Sequence, residues 1–357
     1  MTSKSQVGSQ PNLHLRAARK ERRWSQANLA EQIGVSTLEI GRWERGEAFP
    51  HPSFRQKLLE IFGKSAQELG LVRYAEDDDP TSEDNIFSFN EPLHNLYDFY
   101  GRERERKLLL ERTKKRAPTS IVGPGRMGKT WLVRYLILSA EQFLGPQVRV
   151  GYIDASSPIC NTQRGFIEEV QYQLGLTTAM RATELVDLQR NLQQAREIQP
   201  VLCLDKFEYF TRNQRQFTPD FFQGLRAMAQ ASLLTLVVVT KEPLYTLFSP
   251  MMILAEGADM TSFFPNIFEQ ITLKPFRYEE TFQFIESKGK RTGLTKEECE
   301  YFWRYGQVEE KLWSPVLLQG IGKILLELEY QQRRNTSMFR QHFEQRFAEM
   351  RRVLGIV

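Results

Sequence analysis

Hydrophobic and polar positions follow three successive patterns along the 357-residue chain. Over 13–71 apolar residues recur at three- and four-residue intervals, which predicts five short helices. The first covers about 12–22. The second opens with Ser25 as N-cap and closes at Gly34, and after the turn Gly34-Val35-Ser36 a third runs from Thr37 to Arg45, ended by Gly46. Two helices joined by a glycine-containing turn inside an all-helical unit make a helix-turn-helix. Farther on, β-type runs at Ser120, Val148–Asp154, 200–205, 233–240 and 268–275 alternate with amphipathic helical stretches. That alternation predicts an α/β domain with a parallel five-stranded sheet. The run 233–240 is apolar throughout and suits a central strand covered on both faces.

From about 276 the spacing turns helical again, over 278–289, 295–305, 314–330 and 338–354. The last stretch carries Phe339, Phe343, Phe347 and Met350 on one stripe, either docked on the preceding helices or forming a dimer face. Between the first two patterns lies Glu76-Asp-Asp-Asp-Pro-Thr-Ser-Glu-Asp84, acidic and without an apolar anchor. It reads as a flexible spacer, or as a strip that competes with DNA for a basic face. The expected domains are therefore 12–73, an acidic linker 74–95, an α/β domain 96–275 and a helical part 276–357.

Composition narrows the class. No stretch approaches twenty uncharged apolar residues and the N-terminus is polar, so no membrane span or signal peptide is expected and the location is expected to be cytoplasmic. Cys160, Cys203 and Cys299 lie far apart without metal-ligand spacing and read as reduced thiols. The formal charge of +4 is modest, but residues 1–75 hold 12 Lys/Arg against 7 Asp/Glu, a balance that suits phosphate contacts.

The chemistry concentrates at Gly123-Pro124-Gly125-Arg126-Met127-Gly128-Lys129-Thr130, which satisfies G-x-x-x-x-G-K-[ST] between a strand and a helix. The glycines let successive N–H groups turn toward phosphates, and the helix adds the positive end of its dipole. Lys129 is expected against the β and γ phosphates and Thr130 on Mg²⁺. The strand 200–205 ends in Asp205, the Walker B carboxylate that holds Mg²⁺ through water. ATP and Mg²⁺ are thus the expected cofactors.

The stretch SQANLAEQIGVSTLEIGRWERG resembles the phage-repressor-type (Cro and repressor, or XRE) helix-turn-helix domain, and the likeness covers about 13–71. It implies a core of Leu29, Ala30, Ile33, Val35, Ile40 and Trp43. It also implies double-stranded DNA as partner, with the third helix in the major groove. Ser36, Thr37, Leu38, Glu39, Arg42 and Arg45 are then the DNA-facing positions, with Gln26 fixing the backbone and Arg42 suited to guanine. The family's buried ion pair falls by position on Arg16 and Glu44. A single head makes few phosphate contacts, so a homo-oligomer is expected; a protein partner in place of DNA is the alternative.

Phe99-Tyr-Gly101-Arg102-Glu103-Arg104-Glu105, followed by Lys107-Leu-Leu-Leu, resembles the F-x-GR-x-x-E-x-x-x-L segment ahead of the P-loop in STAND and related AAA-like ATPases. The resemblance implies that Gly101 and Arg102 cover the adenine and that the C-terminal helices form a lid whose Pro315 approaches it. Thr240 or Lys241 takes the place of the γ-phosphate sensor. Many such ATPases follow the Walker B Asp with Glu, whereas here Lys206 follows and the chain reads Asp205-Lys-Phe-Glu208, similar to the D-Q-F-E form of some STAND proteins. Glu208 is the candidate for orienting water. Slow turnover, or binding without hydrolysis, stays open.

Two functions fit this order of domains. One is a DNA-binding transcriptional regulator whose oligomeric state is switched by ATP or ADP. The other is a DNA-stimulated ATPase acting in replication, transposition or antiphage defence.

Overall fold

The structure, a computed structural model, describes residues 12–33, 35, 37–45, 52–64, 68–71, 86–94, 96–176, 182–248, 263–328 and 336–356. Its contacts divide the chain into one unit ending at Glu83 and a second beginning at Asp84.

In the first unit four helices are described: α1 (Leu13–Glu21), α2 (Gln26–Ile33), α3 (Thr37–Glu44) and α4 (Pro52–Phe62). Asn12 caps α1 by accepting from the Leu15 N–H at 3.0 Å, and Ser25 caps α2 by accepting from the Asn28 N–H at 3.1 Å. Leu15, Leu29, Ile33, Ile40, Trp43, Leu58 and Leu69 form the core with Val35 packed against it, so the six expected core residues all face inward. Of the fifth expected helix only a turn at 68–70 falls within the described residues.

The second unit is built on a parallel sheet with strand order β2-β3-β4-β1-β5. The strands are β1 (Thr119–Val122), β2 (Val148–Asp154), β3 (Gln199–Asp205), β4 (Thr235–Thr240) and β5 (Glu269–Thr272). β3 and β4 are buried along their whole length because both faces are covered. Val201, Cys203, Val237 and Val239 face α5 (Glu103–Lys114) and α6 (Lys129–Leu144). Leu202, Leu204, Leu236 and Val238 face α7 (Gln163–Gln173), α8 (Leu185–Gln194) and α10 (Pro219–Gln230). A short α9 (Glu208–Arg212) follows β3.

The C-terminal part comprises α11 (Tyr278–Thr292), α12 (Lys296–Tyr305), α13 (Pro315–Glu327) and α14 (Thr336–Leu354) around one apolar cluster. Phe339, Phe343, Phe347 and Met350 are buried in it, so the aromatic stripe of α14 docks on the other helices. Where a helical connection was expected, β6 (Gln307–Glu309) and β7 (Leu312–Trp313) form a small antiparallel hairpin. Its tight turn is made by Lys311 at φ +58, and the Trp313 backbone pairs with Phe276.

The expected linker 74–95 needs correction at its end. Phe87 and Leu93 are buried, and Phe87 belongs to the core of the C-terminal helices. The Phe87 ring lies so close to α13 that a Cβ on Gly322 would meet its Cδ1 at 2.2 Å, which only glycine permits. Residues 86–94 are a strap across the body; 76–84 lie outside the described residues.

Candidate functional site

The phosphate-binding loop leaves β1 and enters α6. Gly128, at φ +85, is the N-cap of α6; a side chain there would strain the backbone that aims the first N–H groups of the helix. Lys129 Nζ donates to the carbonyls of Gly123 (2.6 Å) and Pro124 (2.7 Å), so the ammonium lies in the mouth of the loop. Burial pulls its pKa below the ordinary value, while the Asp205 and Glu208 carboxylates act to raise it and Lys241 to lower it. A phosphate arriving here would meet a cation that is partly desolvated.

Thr130 Oγ1 donates to Asp205 Oδ2 at 2.7 Å, which brings the two expected magnesium residues together across 75 positions of sequence. Tyr152 Oη donates to the same Oδ2 at 3.0 Å, and the Lys206 N–H donates to Oδ1 at 2.8 Å. An exposed hydroxyl paired with a carboxylate gives the hard oxygen donors that Mg²⁺ prefers, so the residues fit that ion.

Beside them, Glu208 opens α9 only 5% exposed, and its buried Oε2 has no hydrogen-bond partner among the described residues. A buried carboxyl oxygen left without a partner is suited to hold a water. Lys206 sits at φ +53 and donates from Nζ to Asp154 Oδ2 (2.8 Å) and Ser156 Oγ (3.1 Å). The bond to Asp154 raises its pKa, which keeps it an ammonium and rules it out as a base.

The Thr240 hydroxyl is committed to its own turn, donating to the Glu242 carbonyl at 2.6 Å. Lys241 is exposed at the adjacent strand end and is the residue whose charge reaches Lys129.

A cavity of about 210 Å³ opens next to the loop. Arg126, Met127, Gly128, Lys129 and Thr130 line one side, and Pro315, Val316, Gln319 and Phe284 of the C-terminal helices another. Aromatic walls come from Phe99, Tyr100, Trp131 and Phe276, a surface suited to a planar base. Pro315, at the first turn of α13, lines this cavity.

Arg102 lines the cavity and is also a clamp. Its guanidinium donates to the carbonyls of Met127 (3.2 Å) and Lys274 and lies 4.9 Å from the Phe276 ring centre. Its N–H meets Glu280 Oε1 at 3.0 Å, and Gly101 at φ +66 makes that approach possible. The loop, the sheet edge and the C-terminal helix α11 are joined through one buried residue, the first two by its side chain and the helix by its backbone N–H.

Several lining groups carried no recognisable signal in the sequence. Ser88, Asn90 and Glu91 of the strap line the cavity, and the Glu91 carbonyl accepts from Trp131 Nε1 at 2.9 Å. Tyr152 was missed because no motif marks a tyrosine two residues before the end of β2.

In the first unit the buried ion pair is Arg19–Glu44, which corrects Arg16. Arg19 Nε and a terminal nitrogen reach the two Glu44 oxygens at 2.6 and 2.9 Å. The reason is helical geometry: Leu15, Ala18 and Arg19 share the buried face of α1, whereas Arg16 is exposed. Burial alone would raise the Glu44 pKa, but hydrogen bonds from Arg19 and Gln26 and the charges of Arg19 and Arg16 hold it below the ordinary value. Gln26, expected at the DNA backbone, donates to Glu44 at 2.7 Å. Thr37 and Arg45 are exposed at the two ends of α3; Ser36 and the side chains of Leu38, Glu39 and Arg42 lie outside the described residues.

These two constellations match known families. A helix-turn-helix family matches residues 15–69 and an AAA domain family matches residues 112–248. The chain joins an XRE-type helix-turn-helix domain to an AAA P-loop ATPase domain. Among solved structures it is similar to the Walker-type ATPase PABY2304 of Pyrococcus abyssi, at 17% identity over 75% of this chain and 77% of that one, with a TM-score of 0.55. It is less similar to Cdc6p of Pyrobaculum aerophilum, at 16% identity over 71% of this chain and 67% of that one, with a TM-score of 0.46. The first likeness establishes a shared fold. No curated protein matches the chain. Among the described residues no helix is long and apolar enough to cross a membrane.

Proposed function

We propose that this protein is a DNA-binding transcriptional regulator of the STAND type, in which ATP and Mg²⁺ at the P-loop set the oligomeric state and thereby the grip on an operator. The observation that carries the nucleotide part is the 2.7 Å contact of Thr130 with Asp205 beside Lys129, at the edge of an aromatic cavity shared with the lid helices. Lys129 and the N–H groups of the loop bind the phosphates. Thr130 and Asp205 hold Mg²⁺, which when bound offsets phosphate charge. The base lies among the aromatic residues, in contact with Pro315, so nucleotide bridges sheet and lid. Binding then favours one arrangement of the two over another. A change in assembly alters how many helix-turn-helix heads engage DNA together, which changes avidity without any new contact.

Hydrolysis in this reading is slow. Among the described residues Glu208 is the buried carboxyl group near Lys129 left to orient water, while Lys206, tied to Asp154 and Ser156, occupies the position that many ATPases of the resembled class give to Glu. The experiment is to measure bound nucleotide and ATP turnover of the purified protein, with and without genomic DNA fragments. Retained or added ATP with turnover that DNA barely changes is the expected result; brisk turnover stimulated by DNA would favour the alternative of a remodelling ATPase. Glu208→Gln is expected to keep nucleotide affinity within about twofold and to lower turnover by about 10²-fold or more.

A further inference from the structure

We propose that Tyr152 is a positioning residue for magnesium: its phenol fixes the rotation of the Asp205 carboxylate, so that Asp205 and Thr130 meet the ion together. The inference rests on the nucleotide-site reading above.

The strand register puts it in place. β2 and β3 are parallel neighbours with Tyr152 opposite Cys203 and Asp154 opposite Asp205. Tyr152 therefore starts two residues behind Asp205 on the next strand, and its length carries the hydroxyl forward to Oδ2 at 3.0 Å. The ring is held from the other side by Arg134 of α6, whose guanidinium lies 4.9 Å from its centre.

The bond has a job that the rest of the site does not do. Among the described residues Asp205 accepts three contacts: the Lys206 N–H on Oδ1, and the hydroxyls of Thr130 and Tyr152 on Oδ2. Of the two hydroxyls, Thr130 is the one whose oxygen must serve the cation. Tyr152 is the donor to Oδ2 with no other duty, and a phenylalanine would fill the same space without it. Groups that orient a metal ligand from behind usually govern metal affinity about 10- to 100-fold.

The test compares ATP affinity of the full-length protein in millimolar Mg²⁺ with its affinity in EDTA, for wild type and Tyr152→Phe. The variant is expected to bind ATP in EDTA within about twofold of wild type and to lose about 10-fold or more of the gain that Mg²⁺ provides. A Mg²⁺-dependent gain equal to that of wild type overturns the proposal, and so does an equal loss with and without Mg²⁺, which would mean a packing role. If wild type itself binds ATP no better in Mg²⁺ than in EDTA, the magnesium reading of Thr130 and Asp205 fails first and this inference falls with it. An unchanged thermal melt of Tyr152→Phe separates these outcomes from misfolding.

Discussion

Lys129→Ala is expected to weaken ATP binding by about 100-fold or more while leaving the fold intact. Among the described residues the ammonium bonds only to the carbonyls of its own loop, Gly123 and Pro124, so its removal takes no support from the sheet. Against a triphosphate the same group makes charge-assisted hydrogen bonds, each worth about 1.5–3 kcal/mol, and two of them account for a loss of that size. Calorimetric titration with ATP in excess Mg²⁺ checks it. An affinity for Lys129→Ala within threefold of wild type would mean that the loop does not hold the phosphates.

The second large effect belongs to the other unit. Arg19→Ala leaves the Glu44 carboxylate buried without its bidentate partner, and breaking such a pair costs about 3–5 kcal/mol. A unit of this size has little more than that to lose. Hydrogen exchange of the full chain is the suitable readout. Amides of α1 to α4 are expected to exchange at least about 10²-fold faster in the variant, while those of β1 to β4 keep their protection. The pH dependence has a definite sign. Because Glu44 is held below its ordinary pKa, its contribution is fully present above the unfolded carboxylate value and is lost as pH falls through the lower folded one. The gap between wild type and Arg19→Ala should therefore narrow on acidification, and a gap that widened would contradict the pairing.

How much of this was legible in the sequence depends on whether the cause was local. Gly128, Lys129 and Thr130 could be read because phosphate binding requires consecutive backbone groups, and consecutive residues are what a motif records. Asp205 could be read for a related reason: a fully apolar strand ending in a carboxylate is a local pattern whose meaning follows once the loop is found. The core of the helix-turn-helix was equally visible, since 3.6-residue spacing places Leu29, Ile33, Ile40 and Trp43 on inward faces.

The misread positions all depend on distant contacts. Arg16 and Arg19 differ by one turn of α1, and only the packing of α1 on α3 decides which of them faces Glu44. The strap 86–94 follows an acidic run and offers too few apolar residues to mark an element, yet Phe87 is buried because α13 leaves room for it at Gly322. The β6–β7 hairpin is too short for periodicity to register, and its partner is Phe276, more than thirty positions earlier. Tyr152 acts across two strands, where spacing along one of them says nothing.

The central claim is that nucleotide held at Lys129, Thr130 and Asp205 is reported to the DNA-binding head. The most direct measurement is DNA affinity of the full-length protein at fixed salt, on genomic fragments it captures, with ATP and Mg²⁺, with ADP and Mg²⁺, and without nucleotide. Salt is fixed because phosphate contacts make affinity steeply dependent on it. A coupling of ordinary size predicts a difference of about fivefold or more between the ATP and nucleotide-free states, abolished in Lys129→Ala. Equal DNA affinity in all three states, in protein shown to bind ATP, would contradict the account.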